Sequence, residues 1–553
     1  MITHYALCGF KSFKRESSFK LAPITLIYGG NSSGKSTIIQ SIMLLKQTLE
    51  ATGSASAPLI FGSKKYVDLG TFLNVVNDHA STGNISIALT ASPIEFPARR
   101  GTRTIVEALG AIQLQLTVTS DLIGTASLAE LTLQNDDGLI ARYRRSTQPF
   151  SPEDERRMVQ RSRASRLQGL SASGTSTFDL TDINEHHPFF GLLFDEYRTR
   201  IPGVMEALSQ PRISASMIFN GLEFTETDDE TRLSQEARRD GISRAIAARR
   251  AELAEYTFDA FIHDVRQYNK ERALVINRFL PVMSFARAAG AIAGLHLDQR
   301  ALIESGNMVG YPVFDLATIF LTVGNSIASE LSTMAYIGPL RDYPERNYIY
   351  SGPTDETVGS RGENLPAHLY GEDRRRDELN ELGKIIGLEY DIDIFKSKEP
   401  ELNSVFALRL TDTTTGADVG LSDVGFGVSQ VLPILMQCTA KSDATLVVEQ
   451  PEIHLNPKLQ ADLGQVFASA IKGNRRQFII ETHSEHLLLR IQRLVRDGTL
   501  VPAQVAVLYV SKTNEGSAVL EIPLAQNGDR LIDWPDGFFD DTYRELFDIA
   551  PLR

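Results

Sequence analysis

The stretch Gly29-Gly30-Asn31-Ser32-Ser33-Gly34-Lys35-Ser36-Thr37 constrains this chain more than any other. It follows a short apolar run, Ile24-Thr25-Leu26-Ile27-Tyr28, that reads as a strand. It precedes a segment in which Ile38, Ile39, Ile42, Leu45 and Leu49 share one helical face. Strand, glycine-rich turn and helix, in that order, make G-x-x-x-x-G-K-[ST] a phosphate loop. Glycines allow the backbone to wrap an anion with its N–H groups turned inward. The helix start adds about half a positive charge. Lys35 is expected to neutralise terminal phosphates, and the Ser36 hydroxyl to ligate Mg2+. Gly29, Asn31, Ser32, Ser33, Gly34, Lys35, Ser36 and Thr37 are the expected nucleotide contacts.

Three further motifs follow towards the C-terminus. Leu446-Val447-Val448-Glu449-Gln450-Pro451-Glu452 is a buried-strand pattern that delivers acids to its C-terminal end, where open α/β sheets bind ligands. Glu449 is the candidate Mg2+ carboxylate, and a second acid there can orient an attacking water. Phe478-Ile479-Ile480 is another strand, and Glu481-Thr482-His483-Ser484 after it can place His483 near a terminal phosphate. His486 lies three residues further on, without a third ligand that would make a metal site. Leu421-Ser422-Asp423-Val424-Gly425-Phe426-Gly427-Val428-Ser429-Gln430 precedes an apolar helix and reads as a second anion-binding turn.

Length and charge bound the rest. The chain has 553 residues and a net charge of −13. That size allows about three domains, or one large domain carrying an insertion. The acidic total disfavours a surface basic throughout but leaves room for local patches. Candidates are Arg142, Arg144 and Arg145, then Arg156, Arg157, Arg161, Arg163 and Arg166, then Arg374–Arg376. Cys8 and Cys438 are too far apart in sequence for a metal motif, which together with the absence of a signal-peptide pattern predicts a reduced, cytoplasmic protein. No run is long and apolar enough for a membrane span, and Val313–Ile327 reads as a buried helix.

The expected fold class is α/β: a P-loop ATPase head split by a large α+β insertion. Residues 1–80 form its N-terminal part and residues 81–335 the insertion. Residues 336–490 form its C-terminal part, and residues 491–553 a small domain completing it. Within the insertion, Ile112–Thr119 and Ala129–Arg142 read as strands, the latter turning at Asp136-Asp137-Gly138. Ser151–Ser176 reads as a loop or exposed helix, and Arg238–Lys270 as one long helix. Val505–Val510 is a late strand.

The order of these motifs resembles that of ABC-type ATPases of the SMC, RecF and OLD branch, whose opening Gly9-Phe10-Lys11-Ser12-Phe13 also resembles. A closer resemblance rests on Asp68-Leu69-Gly70, Gly338-Pro339-Leu340-Arg341, Pro344-Glu345-Arg346, Gly425-Phe426-Gly427-Val428-Ser429-Gln430, Glu449-Gln450-Pro451-Glu452 and Trp534-Pro535-Asp536-Gly537-Phe538-Phe539. These segments are similar to a bacterial subgroup with a short C-terminal domain of unknown function, akin to ATPase subunits of phage-defence systems of the Septu type, which also occur with some retrons. The resemblance covers the two ends and says little about residues 80–330. It implies ATP and Mg2+ as ligands, with two heads closing around two nucleotides. Ser422 or Ser429, with Gly425 and Gly427, would then touch nucleotide held by a second copy. The family usually has Asp then Glu after the acidic strand, the Glu being the base. Here Glu449 and Gln450 stand in those places, and Gln cannot accept a proton. The catalytic set implied is therefore Glu449, Gln450, Glu452 and His483, with slow hydrolysis. His454 and Asn456 follow, where the loop after the acidic strand reaches a partner head or serves the fold. Implied partners are a second copy and a separate nuclease or effector subunit, with nucleic acid reached through the effector or a basic patch. Too little chain follows His483 for a fused nuclease domain. A DNA-repair ATPase and an ATP-stabilised scaffold holding a toxin are the alternatives.

Overall fold

The structure is a computed structural model. It describes residues 1–51, 58–63, 65–79, 83–92, 111–120, 125–147, 175–209, 247, 250–270, 272–277, 279–286, 316–353, 355–396, 399, 404–440, 444–472 and 476–539. A mixed six-stranded sheet forms the centre. In spatial order its strands are Ala335–Ile337, Thr445–Glu449, Gln477–Glu481, Ile24–Gly29, Val505–Thr513 and Gly516–Glu521. The first five run parallel and the last is antiparallel. Parallel strands covered on both faces need apolar residues on both, which is why Ile24–Gly29, Thr445–Glu449 and Gln477–Glu481 are buried throughout.

Period-two alternation divides these strands between two cores. Ile27, Val447, Ile479, Leu508 and Val510 face one side, where the helix Lys35–Glu50 buries Ile38, Ile39 and Ile42. Leu26, Tyr28, Val448, Ile480, Val507 and Tyr509 face the other. There they meet the helices Phe426–Thr439, Pro457–Ala470 and Glu485–Arg496. A small sheet of Tyr348–Ile349, Val405–Asp412, Tyr390–Lys396 and Asp418–Gly420 joins this second core.

The first core continues into a nine-stranded sheet whose pairings are all antiparallel. Seven strands, from Asn84–Ala91 to Leu280–Ala286, follow one another in sequence order across it. Ile2–Cys8 pairs with Asn84–Ala91, and Ser17–Lys20 forms the edge beyond. Residue 80 is therefore no boundary between sheets: the first strand of the chain belongs with the strands expected as an insertion. The hairpin turning at Asp136-Asp137 pairs Asn135 with Gly138, and Val313–Ile327 falls largely in the buried helix Leu316–Thr333.

One long helix over Arg238–Lys270 does not form. Helical residues 250–254 stop at Glu255, and a new helix runs Phe258–Lys270. Thr257 Oγ1 accepts from Ala260 N at 3.3 Å, a side-chain cap that starts the second helix. The stretch expected as a loop at Ser151–Ser176 lies outside the described residues except for its last two, which open the strand Thr175–Ile183. Arg156, Arg157, Arg161, Arg163 and Arg166 lie outside them as well. Among the described residues no helix is long and apolar enough to cross a membrane.

Candidate nucleotide site

The loop forms where the sequence places it. Gly29 ends its strand at φ 148 and Gly34 begins the helix at φ 109. A Cβ on Gly29 would meet Val510 O at 2.3 Å, and one on Gly34 would meet Ser517 Oγ at 2.7 Å. Both positions therefore exclude a side chain by conformation and by space. Helix Lys35–Glu50 has no side-chain cap and no acid in its first turn, so its positive end is not neutralised from within. Lys35 is buried, and its Nζ donates to Gly29 O at 3.0 Å and Gly30 O at 2.9 Å. Burial lowers its pKa, against the pull of Glu481 and Glu452. The donor set and an open helix start fit a Mg2+-bound triphosphate.

Strand order decides which acids meet this loop. The strand Gln477–Glu481 lies between the loop strand and the acidic strand, so Glu481 stands opposite Glu449 on one side and Ile27 on the other. The carboxylate that reaches the loop is Glu481: Ser36 Oγ donates to its Oε1 at 3.0 Å. Glu449 instead accepts from the Tyr336 hydroxyl at 2.7 Å. Burial, with the Glu481 charge adding to it, pushes the Glu449 carboxyl up to about 7. Sequence reading missed Glu481 as a site residue. Its signal was present, an acid ending an apolar strand like Glu449, but which strand lies beside the loop is a non-local property.

Behind the acidic strand, Gln450 takes φ 47, an uncommon conformation for a residue with a Cβ, and its N–H donates to Glu481 O at 2.7 Å. The turn brings Glu452 back over the next strand. Its Oε2 accepts from Thr482 Oγ1 and its Oε1 from His483 N, both at 2.7 Å. Burial raises the Glu452 pKa, and these hydrogen bonds oppose the rise. Burial, followed by the Lys35 charge, lowers the His483 pKa, which keeps the imidazole neutral at pH 7. Arg341, a second residue missed as part of the site, is buried and donates from Nη2 to Glu449 O at 2.9 Å and Gln450 O at 3.4 Å. Burial brings its pKa down to about 10, against the attraction of Glu452 and Glu449.

The second expected turn also opens a helix. Gly425 precedes helix Phe426–Thr439, which has no side-chain cap and no acid in its first turn. Gly427 serves packing: a Cβ there would meet His454 O at 2.4 Å. Ser429 is buried and its hydroxyl donates to Phe426 O at 2.8 Å. Ser422 lies in a short 3-10 turn beside Asp423, which pairs with Arg346 at 2.9 Å. Asn456 caps helix Pro457–Ala470 by accepting from Leu459 N at 2.9 Å, and the His454 ring lies 4.9 Å from that of Phe426. Among the described residues no group of three or more His, Cys, Asp or Glu side chains is placed to hold a metal ion.

The C-terminal segment supports the loop strand from below. Tyr28 is fully buried, with ring centroids 5.4 Å from Trp534 and 5.7 Å from Phe539. Its hydroxyl donates to Ser484 O at 3.0 Å.

Family models match segments at both ends of the chain. Residues 317–490 match a family model described as "AAA domain, putative AbiEii toxin, Type IV TA system", and residues 6–50 match an AAA domain model. Residues 500–549 match a protein of unknown function, DUF3696. No curated protein sequence matches. Among solved structures, the Smc head domain from Pyrococcus furiosus, bound to the C-terminal domain of ScpA, is similar at 12% identity and TM-score 0.35, covering 94% of this chain and 96% of that one. The SMC head domain from Thermotoga maritima is similar at 12% identity and TM-score 0.32, covering 95% and 99%. The head from Pyrococcus yayanosii stands at 14% and 0.34, covering 95% and 98%. The loop strand and the late strands lie in one sheet, and both ends of the chain carry segments that match AAA domain models.

Proposed function

We propose that this chain binds ATP with Mg2+ at Gly29–Thr37, hydrolyses it slowly, and uses the bound nucleotide to close two copies face to face. The observation that carries the reading is the seating of Lys35 and Ser36 at an uncapped helix start, with Glu481, Glu449 and Glu452 on the adjoining strand ends. Gln450 in the usual place of the base supports slow turnover, with Glu452 orienting water and His483 facing the terminal phosphate. Ser422 or Ser429, with Gly425 and Gly427, around the start of helix Phe426–Thr439, are the residues proposed to meet nucleotide on the second copy. Energy for closure would come from phosphate contacts made only in the closed pair.

The biological setting proposed is an anti-phage defence complex in which the closed pair controls a separate nuclease or effector subunit. The motif resemblance at both ends of the chain supports it. A DNA-binding role is the second reading, resting on local basic patches such as Arg142 and Arg144, which share the one carboxylate of Glu130 at 3.2 and 2.9 Å. Sedimentation with and without a non-hydrolysable ATP analogue tests the proposal. A monomer that pairs only with nucleotide and Mg2+ is the expected result, and an unchanged monomer would refute the closure.

A further inference from the structure

Ser36 and Glu481 are neighbours because of strand order, and their contact has a polarity. The Ser36 hydroxyl donates its proton to Glu481 Oε1 at 3.0 Å, which leaves its own oxygen lone pairs directed away from the carboxylate. A hydroxyl held this way is set to ligate a cation. Glu481 is 2% exposed. Orienting one hydroxyl needs one carboxylate oxygen; the second, Oε2, is also buried, and the other side chain that the Glu481 carboxyl meets is the carboxyl of Glu449. Lys35 does not separate the two acids, because its Nζ donates to the loop carbonyls of Gly29 and Gly30. Two buried carboxyls side by side cost free energy unless they share a proton or a cation with its bound water offsets their charge.

Glu449 shares this face of the sheet, since Glu449 and Glu481 are in register above Val447 and Ile479. Its Oε1 is held by Tyr336, and the contact to Ser36 belongs to Glu481.

We propose that Glu481 is a positioning carboxylate for the metal of the nucleotide site, taking the hydrogen bond of Ser36 and ordering the Mg2+ water shell through its second oxygen. This rests on the reading of Gly29–Thr37 as an ATP loop. Mg2+ keeps most of its waters, so a carboxylate beside a ligating hydroxyl acts mainly through them. Groups that orient a metal's ligands are worth roughly 10- to 100-fold in metal affinity.

The test measures the affinity of a fluorescent non-hydrolysable ATP analogue with Mg2+ and with EDTA. The ratio of the two is the gain due to metal. Mn2+ binding to the protein–nucleotide complex, followed by electron paramagnetic resonance, is the second readout. Glu481→Gln keeps an acceptor for Ser36 and removes the charge. Its affinity in EDTA should equal or exceed that of the wild type, while the metal gain falls about 10-fold or more. Glu481→Asp keeps the charge on a shorter arm and should restore part of the gain. It also carries the test if the Gln variant does not fold, and a wild-type gain in Glu481→Asp would then overturn the proposal. A Gln variant that is folded by circular dichroism and retains the full metal gain would overturn it as well. A wild-type protein that binds no nucleotide in either buffer would instead refute the ATP reading, and this proposal with it.

Discussion

The Tyr336 hydroxyl donates to Glu449 Oε1 across 2.7 Å, fastening the edge strand Ala335–Ile337 to the acidic strand beside it. Both residues are buried. Removing the donor leaves a buried carboxyl oxygen without its partner. Tyr336→Phe should therefore lower the stability of the nucleotide-free protein by about 1–3 kcal/mol. Urea unfolding of both proteins at one pH measures it, and coincident transitions would show that the hydrogen bond contributes nothing.

Lys35→Ala should weaken binding of the ATP analogue by at least about tenfold, the expected loss for one charge-assisted hydrogen bond. The lysine also spans Gly29 O and Gly30 O, so the variant loop loses an internal clamp along with its charge. Titration with a fluorescent analogue decides the matter, and wild-type affinity would remove the loop from the site.

Glu452→Gln separates two roles of one side chain. The carboxylate accepts from both Thr482 and His483 N, and an amide can accept from only one of them. Some loss of stability follows in any case. If Glu452 also orients the attacking water, steady-state phosphate release should drop by about 10²-fold or more, the usual scale for a lost acid–base group. Turnover unchanged in the folded variant would leave Glu452 with the structural role alone.

Local chemistry made the loop legible. Gly29, Gly34, Lys35 and Ser36 work through their own backbone and charge, and the apolar runs at Ile24, Thr445, Phe478 and Val505 became parallel strands as their β-branched residues required. What sequence could not supply was neighbourhood. Glu481 and Ser36 meet only because one strand inserts between two others, and Arg341 reaches Glu449 O from the loop after an edge strand far away in the chain. Packing also engages residues chosen for their chemistry: the missing side chain of Gly427 makes room for His454 O, and Ser429 turns its hydroxyl into its own helix. The break before Phe258 went unread because a Thr cap inside a run of helix formers is a weak local signal beside their summed propensity.

Gly427→Ala tests the close approach to His454 directly. A methyl group meeting a backbone carbonyl at 2.4 Å cannot be accommodated by a rotamer change, so the turn after the acidic strand must move. A loss of about 1–3 kcal/mol is expected, with nucleotide affinity of the single copy little changed. A variant as stable as the wild type would mean that the turn is looser than this contact requires.

The two thiols should differ in reactivity. Cys438 is fully enclosed, and burial pushes its pKa up to about 12, with nearby Arg476 opposing the rise. At pH 8 almost none of it is thiolate, the reactive form. A thiol reagent should therefore label Cys8, which is half-buried, well before Cys438, and Cys438 should react only on unfolding. Peptide mass mapping of briefly labelled native protein checks the order. Early modification of Cys438 would show that the helix Phe426–Thr439 opens readily.

The loop strand Ile24–Gly29 is made early, but both strands that flank it, Gln477–Glu481 and Val505–Thr513, are made late, as is Trp534, which packs beneath Tyr28. During synthesis the meander from Asn84 to Ala286 can pair strand by strand as it emerges, and Ile2–Cys8 can join it. The phosphate loop has no such early partner, so a ribosome-bound chain halted before residue 477 would carry a pairable outer sheet and no competent pocket. Any nucleotide binding at this loop therefore waits until residues 477–513 have been made, long after the loop itself.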